Sequence, residues 1–189
     1  MSGHLALNAV SGVLRDLVVR ACAGDPVLGG LIRDKGDVSL ANPTETAAQS
    51  HQRISLWLYR ITENEFLKNL PAPEPGRVSS LALDLHYLVT PFTGNAENDQ
   101  VLLGRVLQAL HENASVYVSR PADPVVEEIR VVFCRLPLDE ITRIWEALDE
   151  PYRLSVCYLV RVVRIDAERL RADAPVLEVT TGTGTGVTP

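Results

Sequence analysis

The sequence predicts an α+β domain: a mostly antiparallel sheet with helices packed on it. Three observations lead there. Stretches 53–62, 81–89, 125–133 and 152–165 are rich in β-branched and aromatic residues and alternate as strands do. Stretches at about 4–23, 100–112 and 138–148 space their apolar residues as helices do. The order is helix, strands, helix, strand, helix, long strand, with no internal repeat.

In the first helix Leu7, Val10, Leu14, Leu17, Val18 and Ala21 form the stripe, and Arg15, Asp16 and Arg20 lie elsewhere on the wheel. Gly24-Asp25-Pro26 stops it. A short strand is expected around Val38–Leu40. In 53–62, Ile54, Leu56 and Leu58 share one face and Trp57, Tyr59 and Ile61 the other, so both faces should be covered. "PAPEPGR", 71–77, is a loop. In 81–89, Leu81, Leu83, Leu85, Tyr87 and Val89 point one way, and Ala82, Asp84, His86 and Leu88 the other.

The helix over 100–112 carries Leu102, Leu103, Val106 and Leu110, with Glu97 and Asp99 at its N-terminal dipole end. In 125–133, Ile129, Val131 and Phe133 face in. Ile141, Ile144, Trp145 and Leu148 share one face of the helix at Leu138–Leu148. The last strand, 152–165, is about twice the usual ~5–6 residues. One domain, 1–168, is expected, followed by a flexible Gly/Thr-rich tail, 169–189.

The chain has 189 residues, of which 46% are hydrophobic, which suits a globular domain with its own core. A net charge of -6 argues against a nucleic-acid partner, since phosphate binding needs a basic face. Cys22, Cys134 and Cys157 form no C-x-x-C pair. Cys134 and Cys157 read as small buried hydrophobes, and neither a disulfide framework nor a zinc site is expected from the spacing; a reducing compartment follows. The N-terminus lacks a basic n-region and is interrupted by Asn8, Arg15 and Asp16, so it reads as neither a signal peptide nor a membrane span.

Enzyme motifs are missing: there is no G-x-S-x-G, G-x-x-x-x-G-K-[ST], H-E-x-x-H or G-x-G-x-x-G after a strand. The tail "TGTGTG" follows no strand-to-helix junction and carries no phosphate reading. His4, His51 and His111 have no ligand spacing. Glu63 and Glu65 of "TENE" end a strand or open a turn capped by Thr62 or Asn64. Asp84 and His86 share a strand face, where a carboxylate can orient an imidazole base. No serine or cysteine is placed by motif to complete such a set, and a half-wet sheet face accounts for both.

The arginines of the last strand need a reason. Arg153 and Arg161 fall on the odd face and Arg164 on the even one. They either solvate an edge strand against aggregation or mark an edge kept for another subunit.

Four stretches occur in order: "ISLWLYRITENEFLKN", "LALDLHYLVTPF", "ENDQVLLGRVLQALHEN" and "LPLDEITRIWEALDEPYRLSVCYLVRVV". Their most specific parts are Leu58–Asn64, Leu83–Pro91, Leu103–His111 and Pro151–Tyr158. Over about residues 5–166 the set resembles the tail-cap, or tail-terminator, family of phage-tail-like extracellular contractile injection systems. The resemblance implies a terminator-like fold and a structural cap, not an enzyme. It implies a ring, six-fold in such families, that ends the inner tube and sheath at the end away from the baseplate. Partners would be further copies of the chain, sheath and tube proteins, with no nucleic acid, no membrane insertion and no cofactor. Assembly would take place in the bacterial cytoplasm, on a particle released or held at the cell. Arg60, Asp84, His86, Arg153, Arg161 and Arg164 are the expected assembly contacts, on the argument that cations register a heterologous interface. An adaptor for another particle component is the alternative, and an enzyme using Asp84 and His86 a remoter one.

Overall fold

The computed structural model describes residues 5–68, 79–120 and 123–166. Helix α1 (Ala6–Ala23) leads through two single 3₁₀ turns to β1 (Val38–Ser39) and the short helix α2 (Pro43–Ala47). Then follow β2 (Ile54–Glu63), β3 (Leu81–Pro91), α3 (Ala96–Glu112), β4 (Ser115–Arg120), β5 (Asp123–Cys134), α4 (Leu138–Ala147) and β6 (Val156–Ile165). The strands form one sheet in the order β1-β2-β3-β6-β5-β4. Every pairing is antiparallel except the two-residue match of β1 with β2.

One face of the sheet meets α1 and α3. Val10, Leu14, Leu17 and Val18 of α1 and Leu102, Leu103, Val106 and Leu110 of α3 pack there. They meet Leu83, Leu85, Tyr87, Val89, Val131, Tyr158 and Val160. Two polar contacts fix the layer. Ser11 Oγ and Tyr87 Oη lie 2.8 Å apart in the core, and the Arg105 Nε–H donates to the Ala21 carbonyl at 2.8 Å. Helix α3 begins at Ala96, four residues before the expected start at 100. Asn95 caps it by accepting from the N–H groups of Glu97 and Asn98, which satisfies donors the first turn leaves free.

Among the described residues the opposite face is covered at one end only. Ile141 and Trp145 of α4 close over Leu88, with Trp57, Tyr59, Leu136, Ile144 and Leu148 around them. Beyond that cluster the strands turn polar.

Several expectations change. β6 has ten residues and begins at Val156, not at 152; β2, β3 and β5 have 10, 11 and 12. It is a central strand: β3 pairs with it from Val156 to Ile165 on one side, and β5 with Cys157–Arg161 on the other. The reading of β6 as an edge kept for another subunit is therefore wrong over Cys157–Arg161. Its length is explained by neighbours within its own sheet. Among the described residues the edges are β1 and β4, and "SVYVSR" is too short for its alternation to predict β4. Phe133 lies on the expected face but is 57% exposed, edge-on to Tyr158 at 5.7 Å. The expected tail, 169–189, and the whole of the 71–77 loop lie outside the described residues.

Candidate functional site: an open sheet face with two bulges

Alternation decides which side chains reach a sheet face, and one extra residue reverses it. This happens on both sides of β3. In β2, Leu58 pairs with Tyr87 but Arg60 with His86, so Tyr59 is extra. In β6, Val163 pairs with Leu83 and Val160 with Leu85, so two residues, Arg161 and Val162, stand against Asp84 alone.

The consequences fall on charged residues. Unbroken alternation would put Arg60 with Leu58 on the helix-packed face; the bulge sets it beside His86 on the other. Ile61 moves the opposite way, to pair with Leu85, and is 45% exposed there. Arg164 likewise pairs with Ala82 on the face away from α1 and α3. Arg161 and Arg164, assigned above to opposite faces, therefore share one face and line the same groove with Arg130, Glu128 and Val132, about 720 Å³ in volume. Arg130 and Arg161 are direct ladder partners. Like charges at that position repel, and the same groove holds the carboxylates of Glu127 and Glu128.

Arg153 does not join them. It precedes β6, eight residues from Arg161, and its guanidinium lies 5.2 Å over the Phe92 ring. At ~3.3 Å per extended residue it stands near the other end of the sheet. The structure thus groups Arg60, Asp84, His86, Arg161 and Arg164 on one face and leaves Arg153 apart.

The hydrogen bonds of Asp84 and His86 go to other residues. Asn64 Nδ2 donates to Asp84 Oδ1 at 2.9 Å, while His86 Nε2 lies 3.4 Å from Thr62 Oγ1. Burial holds the His86 imidazole below its ordinary range, the Arg60 guanidinium adds to this, and Asp84 opposes it. Near His86 stand two thiols, Cys134 and Cys157. Burial pushes the Cys157 thiol up to about 12; the Tyr59 hydroxyl, 3.3 Å away, works against this and Cys134 adds to it. A neutral thiol beside a weakly basic imidazole is the reverse of the thiolate–imidazolium pair a cysteine nucleophile needs.

Sequence reasoning missed Arg130, Cys134 and Cys157. Arg130 was findable, since it occupies the polar phase of "EEIRVVF". The meeting of two cysteines and a histidine was not, because their spacing in the chain, 86, 134 and 157, encodes nothing until the strand order is known.

Comparison with known proteins comes to the following. The family described as the Pvc16 N-terminal domain matches residues 9–178. No curated protein matches the chain. Among solved structures, the chain is similar to the PVC sheath/tube terminator of an extracellular contractile injection system in its extended state. The TM-score is 0.59 at 18% identity, over 100% of this chain and 66% of that one. A second similar structure is the tube-terminating cap of the anti-feeding prophage. There the TM-score is 0.41 at 22% identity, over 68% of this chain and 48% of that one. The chain thus spans about two thirds of the length of the first and about half of the second.

Proposed function

The chain belongs to the Pvc16 N-terminal domain family, and from that membership we propose that it is a structural cap on the tube and sheath of a contractile injection system. The observation that supports this most is the terminator fold, matched along the whole chain. The cap forms a ring of copies, six in number, at the end of the tube away from the baseplate. There it stops growth of tube and sheath and stabilises the sheath. It assembles in the bacterial cytoplasm and works without catalysis or cofactor, binds no nucleic acid and does not itself insert into a membrane, and takes sheath and tube proteins as partners. Among the described residues no helix is long and apolar enough to cross a membrane.

A closed ring needs a heterologous contact, one patch on a copy against a different patch on the next. The open sheet face supplies one such patch: Arg60, Arg161 and Arg164, joined by Arg130, with Asp84 and His86 at its centre. Exposed charges there set register and speed of encounter more than affinity. A stable contact of this kind buries at least ~1,000 Å².

The experiment is native mass spectrometry of the purified chain, alone and after addition of tube and sheath proteins from the same particle. A six-fold species in either case, bound to tube ends, is the expected result. A monomer that ignores both proteins overturns the proposal.

A further inference from the structure

We propose that His86, Cys134 and Cys157 form a binding site for a thiophilic metal ion, with zinc as the first occupant to test. The three residues come from three adjacent strands, β3, β5 and β6. Cys134 and Cys157 are direct ladder partners. Leu88 pairs with Cys157 and His86 with Leu159, so His86 sits diagonally from Cys157 on the same face. A donor atom from each residue lies within 4.8 Å of the other two. Tetrahedral zinc, with Zn–S of about 2.3 Å and Zn–N of about 2.0–2.1 Å, needs donors ~3.5–3.8 Å apart. Small rotations about χ1 close that gap without moving a strand.

Further features fit an ion. Cys157 is buried, while Cys134 and His86 are half-buried, so the cluster is held firmly and still reachable from solvent. The Tyr59 hydroxyl, 3.3 Å from Cys157 Sγ, is placed to donate to a thiolate, the kind of outer contact that orients metal ligands. Thr62 holds the imidazole from the β2 side while the sulfurs approach from the β6 side. Two sulfurs and an imidazole nitrogen are a donor set for zinc or copper(I) rather than for magnesium or calcium. Three protein ligands leave a fourth position for water or an outside group. Cys22 takes no part, being packed in the core beneath the other face. The ion would clip together three central strands at the margin of the cover given by α4. The site stands independently of the capping role.

The test uses the full chain, stripped of metal and kept reduced, titrated with zinc chloride against a chelating indicator. One zinc per chain is expected. Cys134→Ser and Cys157→Ser should each weaken binding at least about 100-fold, and Tyr59→Phe about 10-fold; Cys22→Ala should leave it unchanged. Cobalt(II) added to the unaltered chain should give sulfur-to-metal charge-transfer bands in the near ultraviolet. No stoichiometric zinc uptake, uptake that survives loss of both Cys134 and Cys157, or a cobalt spectrum without sulfur bands would each overturn the site. The cobalt arm needs no substitution, so a variant that fails to fold does not shield the proposal.

Discussion

Arg130 of β5 and Arg161 of β6 are direct partners in one antiparallel ladder, two guanidinium groups at a single cross-strand position. In the isolated chain this is an unfavourable pairing, and it is kept on an open face. Arg161→Ala should leave the isolated chain as stable as before or raise its stability by up to about 0.5 kcal/mol. Urea denaturation checks this. A loss above about 1 kcal/mol would mean that Arg161 has a partner within its own fold.

The double change Arg161→Glu plus Arg164→Glu should keep the fold, seen as an unaltered circular dichroism spectrum. It should also slow association with tube and sheath by about 10-fold or more, because reversing surface charge acts first on encounter. Particle length distributions by electron microscopy give the readout. Unchanged rings and unchanged lengths would remove this face from the assembly. Arg153→Glu serves as the contrast: it should cost about 0.5–1 kcal/mol through loss of the contact with Phe92 and leave assembly less affected.

Trp145 is 2% exposed and fills the centre of the small cluster under α4. Trp145→Ala should destabilise the chain by about 3–5 kcal/mol. Thermal unfolding followed by far-ultraviolet circular dichroism measures it. A loss below about 1 kcal/mol would show that α4 does not depend on this face.

Tyr87 is fully buried and its hydroxyl meets Ser11 Oγ. Tyr87→Phe should cost about 1 kcal/mol. The effect stays small because Ser11 still donates to the Leu7 carbonyl at 3.0 Å. Chemical denaturation of the two proteins side by side gives the difference.

Asp37 gives the pH dependence. Burial pushes its carboxyl up, but the Arg33 side chain and the backbone N–H groups of Arg33 and Asp34 outweigh that and hold it below the usual carboxylate range. The Arg33 and Asp34 N–H groups donate to Oδ2 at 2.8 and 3.4 Å. A carboxyl whose folded value is depressed stabilises the fold above its unfolded value, ~3.9, and loses that contribution as pH falls through the folded value. Asp37→Asn should therefore cost about 2 kcal/mol at neutral pH, and the gap to the parent should shrink below about pH 4. A gap constant from pH 7 to pH 3 would show that the charge is not what matters.

The secondary structure was largely legible because each core residue repeats a period. Leu81 to Val89 alternate without a break, and the α1 stripe follows helical spacing through Val10, Leu14, Leu17 and Val18, with Cys22 rather than Ala21 as its last buried member. The short pieces were harder to read. "SVYVSR" is too brief for alternation to stand out, and α2 announced itself only through Asn42-Pro43, with Asn42 capping Glu45 N–H. The candidate site was half legible. Asp84 and His86 fell on the right face because β3 has no extra residue. Ile61, the neighbour of Arg60, and Arg164 were misassigned because β2 and β6 each have one, and nothing local to Tyr59 or to Arg161-Val162 marks a bulge. The place of β6 in the sheet was illegible, since strand order depends on contacts remote in the chain.

The extra residues in β2 and β6 make each strand a pair of half-strands with opposite odd–even parity. A one-residue deletion at 59 or 162 would keep composition, strand propensity and charge almost unchanged. It would make the ladder regular and leave Arg60 or Arg164 on the open face, with Ile61 or Val163 on the α1–α3 face. The undeleted strand paired without its bulge, with Tyr59 against His86 or Val162 against Leu83, would instead drive Arg60 or Arg164 toward the hydrocarbon of the α1–α3 layer and turn Ile61 or Val163 out to water. The bulge at these two points is therefore as much a part of the instruction as the side chains: a variant that changes an arginine there alters a surface, whereas one that flattens the bulge and keeps its residue turns the far half of the strand inside out.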